Sequence, residues 1–325
     1  MSFDLPYRPR RLRRTEALRS MVRETSVNAS QLVYPMFIEE GITEATPISS
    51  MPGIVRHPEK DMDKAVKDAY AAGIRSILLF GVSHHKDETG SDSLKDDGLL
   101  ARMIKRAKDA CPEMSVISDN CFCEYTSHGH CGVLTHDGHV HNDHTLENLA
   151  LQAYVCAKAG ADIVAPSAMM DGQIAAIRER LDAEGFEHTP IMAYASKFAS
   201  GLYGPFRAAA GCELKGDRKT YQMDPANARE ALIEAELDEA EGADILMVKP
   251  GMFYLDILAR IRQQSNLPLA AYQVSGEYSM MCYAFQNGAL DEKRVVMESM
   301  TSLRRAGADI LITYFAPKVA HWLAE

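Results

Sequence analysis

AAGIRSILLF at 71–80, KAGADIVAPS at 158–167, AEGADILMVKP at 240–250 and RAGADILITY at 305–314 are near-copies of one junction. Each places a glycine where a helix would end and follows it with a short run rich in Ile, Leu and Val. Glycine takes up the left-handed conformation that closes a helix at no steric cost, and an unbroken apolar run suits a strand covered on both faces, as in a parallel sheet. The junction therefore predicts a helix stop followed by a buried strand. Four more runs fill the gaps: LVYPMFI at 32–38, MSVISD at 114–119, PIMAYA at 190–195 and PLAAYQV at 268–274. Helical patterns lie between them, notably at 61–72, 145–159, 225–241 and 291–306, the third with Asp224 as N-cap and Pro225 as first helical residue. Eight strands alternating with helices predict an α/β fold, a (β/α)8 TIM barrel, over a doubly wound sheet. Residues 1–30 form an N-terminal arm and 31–325 the barrel.

The 325 residues are 46% apolar and 25% charged, ordinary values for a globular chain. Thirty-five basic against forty-five acidic side chains leave a net charge of −10, which excludes a global nucleic-acid footprint, so an anionic ligand must be caught locally. No apolar stretch approaches the ~18 residues that a membrane span needs, and MSFDLPYRPRRLRR lacks the apolar core of a secretory signal. Asp4, Pro6, Pro9 and Glu16 spoil an acid-free transit helix, so a cytoplasmic location is expected. Seven cysteines cannot all pair within one chain, which fits a reducing compartment. The arginine-rich arm is expected to pack on a neighbouring subunit.

In such barrels the chemistry sits at the C-terminal ends of the strands. Long loops follow the third and fifth strands, about 25 residues each, above the usual limit for loops without a job. The first reads SDNCFCEYTSHGHCG: an extended strand would put Asp119, Cys121 and Cys123 on one face, with Cys131 closing from the loop. Three thiolates with a fourth position open suit a catalytic Zn²⁺; a disulfide or three buried thiols is the competing reading. His128, His130, His136, His139, His141 and His144 crowd the same loop and are read as orienting partners at most.

Lys249 ends ILMVK on the face of Ile245 and Met247, where desolvation should lower its pKa and ready it to form a Schiff base with a ketone. A lysine paired with Asp119 or Asp171 is the alternative. Lys197 repeats the arrangement on the neighbouring strand, and a second ammonium would depress the first one's pKa further. After Lys197 comes FASGLYGPFRAAAGCELKGDRKTYQMD, a lid at about 198–222 whose Arg207 and Arg218 imply an acidic substrate group; a solvated charge cluster is the plainer alternative. Ser167, Ser275 and Tyr314 offer hydroxyls at other strand ends, and Asp119 and Asp171 offer carboxylates for proton transfer.

Five segments, DNCFCEYTSHGHCG, MAYASKFASGLYGPFR, DRKTYQMDP, ILMVKP and YQVSGEY, occur in an order that closely resembles the porphobilinogen synthase (5-aminolevulinate dehydratase) family of the zinc-dependent type, over essentially the whole chain. The resemblance implies condensation of two 5-aminolevulinate molecules to porphobilinogen with loss of two waters, in tetrapyrrole synthesis. It implies a Schiff base between Lys249 and the first substrate, whose carboxylate would meet Ser275 and Tyr314 and whose amino group would meet Asp119 and Ser167. Lys197 would serve the second substrate, with its carboxylate on Arg207, Arg218 and Gln222 and zinc on Cys121, Cys123 and Cys131 beside its reacting end. Glu234 matches a glutamate that holds an activating Mg²⁺ between subunits in some relatives, and the arm resembles one through which subunits embrace into homo-octamers. Phe253 departs from the proline or alanine often found there. Two other readings compete: a single-lysine aldolase barrel without metal, and a zinc-binding assembly protein that has lost turnover.

Overall fold

The structure, a computed structural model, describes residues 5–212 and 214–325. Residues 1–4 of the expected arm and Glu213 of the expected lid lie outside the described residues. Among the described residues ten strands are present: β1 (Leu32–Glu39), β2 (Thr46–Pro47), β3 (Val55–Pro58), β4 (Ser76–Val82), β5 (Ser115–Asn120), β6 (Ile163–Pro166), β7 (Met192–Lys197), β8 (Ile245–Lys249), β9 (Leu269–Gln273) and β10 (Ile310–Thr313). Eight of them, all but β2 and β3, run parallel in the order β6-β5-β4-β1-β10-β9-β8-β7, and a bridge between Val164 and Ile191 joins the two ends. The TIM barrel read from the repeated junction is what forms. Its strands are buried almost throughout, which is why their sequences carry no polar alternation. The junction glycines Gly73, Gly160, Gly242 and Gly307 all have φ between 92° and 120°, the left-handed helix ends inferred above. The added pair β2 and β3 is a small antiparallel ribbon laid beside β1, too short to show in the hydropathy pattern.

Eleven α-helices are assigned among the described residues: α1 (Glu16–Met21), α2 (Met62–Ala71), α3 (Leu99–Ala110), α4 (Asn142–Ala159), α5 (Gln173–Ala183), α6 (Gly204–Ala209), α7 (Ala228–Ala240), α8 (Leu255–Gln264), α9 (Ser275–Gln286), α10 (Glu292–Arg305) and α11 (Ala316–Ala324). Helix α7 begins three residues later than Pro225. The Asp224 carboxylate accepts from Ala226 N–H (2.9 Å) and its carbonyl from Asn227 N–H (3.0 Å), so Asp224 closes a turn ahead of the helix rather than capping it. Helix α4 opens earlier than 145, with His141 accepting from His144 N–H at its N-terminus. No helix among the described residues is long and apolar enough to cross a membrane. The described part of the arm carries Leu5, Tyr7, Leu12, Met21 and Val22 exposed.

Candidate active site

Lys197 and Lys249 end the adjacent strands β7 and β8 and lie opposite each other in register. Both are buried and both border one cavity of about 240 Å³ at the C-terminal mouth of the barrel. The Lys249 ammonium is surrounded by rings, 4.4 Å from the centroid of Tyr272, 4.9 Å from Tyr194 and 5.3 Å from Phe206. Burial, followed by repulsion from Lys197, pulls its pKa down to about 7, against the pull of Asp119. Neither lysine forms an ion pair with a carboxylate among the described residues, so the paired-lysine alternative fails. Lys197 instead donates to the carbonyl of Ser167.

Asp119, buried on β5, accepts from Ser167 Oγ (3.0 Å) and borders the same cavity. Burial raises its carboxyl pKa, while Lys249 and Lys197 oppose the rise. Asp171 is a correction: it is exposed after β6 and faces another groove, so it is neither a partner of Lys249 nor a proton-transfer group of this cavity.

The three cysteines come together, but not by the route that strand alternation predicts. Strand β5 stops at Asn120, and the Phe122 carbonyl accepts from both Tyr125 and Thr126 N–H at 2.8 Å. A turn, not strand alternation, gathers the thiols. The sulfurs of Cys121, Cys123 and Cys131 all lie within 4.8 Å of one another, with Cys121 and Cys123 3.5 Å apart, and all seven cysteines are free. Hydrogen bonds from its two neighbours hold the Cys131 thiol well below the usual range, while burial pushes Cys121 up and contacts with neighbouring thiols push Cys123 up. A buried trio of sulfur donors, of which Cys123 borders the cavity, fits a three-ligand zinc centre. Asp119, Cys121 and Glu124 form a second set of donors within the same spacing.

The loop histidines are not ligands in this arrangement. His130 contacts the Tyr221 hydroxyl (3.0 Å) and the Lys215 carbonyl (2.8 Å), and His128 the Glu88 carbonyl (3.0 Å), tying the cysteine loop to the lid and to the loop after β4. His136, His139 and His144 are exposed.

The segment 198–222, expected to be a lid, contributes Arg207, Arg218 and Gln222 to the cavity wall. Arg218 donates to the Gly129 carbonyl (2.9 Å), and the buried Gln222 amide nitrogen has no partner among the described residues. Ser275 and Tyr314 do not border the cavity. Ser275 Oγ accepts from Phe206 N–H (2.9 Å), and the Tyr314 and Tyr272 hydroxyls pair at 3.1 Å, so both stand behind the aromatic wall around Lys249. Glu234 is half-buried on α7 and lines a separate groove with Asp171 and Glu230, where burial followed by those two carboxylates raises its pKa.

Sequence reasoning missed Glu124, Tyr203 and Phe206, all of which line the cavity. Glu124 is buried, and its carboxyl is pushed to about 7 by burial and by Asp119. Its place beside Cys123 was the available signal; the aromatic residues carried none, because rings in a barrel are ordinarily core.

The family model of delta-aminolevulinic acid dehydratase matches residues 6–322. The chain belongs to the delta-aminolevulinic acid dehydratase family. It is 57% identical over 317 residues to the dehydratase of Escherichia coli and 51% identical over 320 residues to that of Bacillus subtilis, covering 98% of both chains in each comparison. The crystal structure of the Toxoplasma gondii dehydratase (porphobilinogen synthase) in complex with the reaction product porphobilinogen superposes with a TM-score of 0.96 at 47% identity, covering 98% of this chain and 92% of that one. Membership of the dehydratase family makes the chain an enzyme, a lyase, and sets aside both the aldolase and the non-catalytic readings.

Proposed function

We propose that the enzyme condenses two 5-aminolevulinate molecules to porphobilinogen through lysine Schiff bases, with zinc held by Cys121, Cys123 and Cys131. The observation that carries this reading is the pair of lysines side by side in one cavity under a lid that brings two arginines. Two amines answer two ketones, and two guanidinium groups answer a carboxylate.

Lys249, with a pKa of about 7, is in large part a free amine at neutral pH. Its lone pair adds to the ketone carbon of the first substrate, and the carbonyl oxygen leaves as water after taking up two protons. Asp119, buried beside Ser167, binds that substrate's amino group and is the group at hand to exchange protons. Ser275 and Tyr314 take its carboxylate once the Phe206 side of the wall gives way. Lys197 serves the second substrate, oriented by Arg207, Arg218 and Gln222. Bound zinc would supply Lewis-acid polarisation at the second substrate's reacting end. The aromatic wall and lid exclude water, which favours the imines over their hydrolysis.

Glu234 with its acidic neighbours is read as a site for an activating Mg²⁺, and the arm, with its exposed apolar side chains, as the contact that assembles a homo-octamer. The enzyme is read as cytoplasmic. The test is porphobilinogen formation from 5-aminolevulinate by the purified protein, with a zinc chelator and after zinc is restored. Chelator-reversible activity supports reaction and metal together; activity indifferent to chelation removes the metal role, and inactivity with zinc bound removes the reaction.

A further inference from the structure

We propose that Arg56 and Lys86 are positioning residues for the condensation: they clasp the carbonyl end of lid helix α6 and thereby hold Arg207 over the cavity. The inference rests on the reading of 198–222 as a substrate-binding lid. Helix α6 has six residues and cannot hold its own place. At its C-terminal end Arg56 Nη2 donates to the Ala208 carbonyl (3.1 Å), and just beyond it Lys86 Nζ donates to the Gly211 carbonyl (2.6 Å). Arg56 meets one of the backbone oxygens that the end of α6 leaves without a helical partner, where partial negative charge accumulates, and Lys86 meets the carbonyl of the turn that follows. Gly211 has φ +62°, a conformation open to glycine at little cost, and this backbone turn presents its carbonyl to Lys86.

The clasp is anchored in the barrel. Arg56 Nη1 pairs with Glu39 Oε2 (2.9 Å), and the second oxygen of Glu39 meets His84 Nε2 (3.1 Å). Glu39 is buried and is the last residue of β1, so Arg56 reaches the lid from a fixed point. At the other end of α6, Phe206 N–H is held by Ser275 Oγ, and its ring packs on Phe37 and Phe80 at 5.8 and 5.1 Å. Arg207 therefore stands between two secured groups, the N–H of Phe206 and the carbonyl of Ala208. The far half of the lid is tied elsewhere, by Arg218 to Gly129 and by Lys215 N–H to the His128 carbonyl. Arg56 and Lys86 touch neither lysine nor the thiols, and neither borders the cavity. Their effect must run through the lid.

The experiment compares Arg56→Met, Lys86→Met and Lys86→Arg in the zinc-loaded enzyme, measuring KM and kcat for 5-aminolevulinate, hydrogen exchange of residues 204–212 without substrate, and thermal stability. The clasp predicts KM raised by on the order of 10- to 100-fold in the methionine variants with a smaller change in kcat, faster exchange confined to 204–212, and recovery in Lys86→Arg. Unchanged KM and exchange, or a lowered melting temperature as the only effect, overturns it. Arg207→Ala separates the two levels. If that variant leaves KM unchanged while Arg56→Met loosens the helix, the lid reading fails and the clasp's role with it; if Arg207→Ala raises KM and Arg56→Met does not, the clasp alone is wrong.

Discussion

Lys197 and Lys249 face each other across one rung of the β7–β8 ladder, and the charge of the first helps hold the second at a pKa of about 7. A free amine at the pH of the cell is thus a property of the barrel's register. Shifting either strand by one residue would turn its lysine out of the cavity.

Replacing Lys249 with Ala should abolish turnover and, with it, the covalent adduct that borohydride traps between enzyme and substrate. Mass spectrometry of the reduced digest checks this: the adduct belongs on the peptide containing Lys249 in the parent, and an active variant would sink the assignment.

Adduct formation should rise with pH through about 7 and level off above it, because only the unprotonated amine attacks. The charge of Lys197 contributes to that depression, so Lys197→Met should move the rising limb to higher pH. The trapping rate on Lys249 as a function of pH reads this out without requiring turnover, and an unmoved limb would remove Lys197 from the account.

Lys249→Met should stabilise the fold. The folded-state pKa lies below the unfolded value, so the unfolded chain binds more protons between about 7 and about 10 and stability rises with pH across that window. Below it, the buried ammonium costs its full desolvation, and removing it should stabilise by roughly 1–4 kcal/mol at pH 7. Denaturant melts of parent and variant check the sign, and a destabilised variant would show that the ammonium's ring contacts outweigh its burial.

Cys131→Ser should lose tightly bound zinc and most activity while leaving the barrel folded. Metal content after dialysis, alongside circular dichroism, separates this from unfolding. If zinc stays bound, the trio is not its site.

Arg207→Ala should raise KM by on the order of tenfold or more with the melting temperature little changed, as expected for a half-buried residue whose charge awaits an anion. A purely thermal effect would return Arg207 to the ordinary surface.

The barrel could be read from the sequence because its signal is local and repeated: Gly160, Gly242 and Gly307 each end a helix and each precede a run that is apolar on both faces. The strand-end places of Lys197 and Lys249 were legible for a related reason, since each lysine closes one of those apolar runs, whereas the three cysteines were legible by residue type alone. What was not legible depends on contacts between distant segments. The turn at Phe122 that gathers the thiols, the hydrogen bond that engages Ser275 with the lid, and the reach of Arg56 across 152 residues to Ala208 have no signature in spacing. Asp224 misled because an Asx turn and a helix cap both bond an aspartate carboxylate to a backbone N–H a little further along the chain.

The ring of strands closes through a bridge at Val164 and Ile191, and Lys197 reaches across that same boundary to the carbonyl of Ser167. A cylinder with so short a final join breathes there first, so amides at 163–165 and 191–195 should exchange sooner than those of the long β1–β4 pairing. Substrate captured by Lys197 would draw that lysine away from Ser167. Each turnover would then loosen and re-stitch the staves on either side of that join.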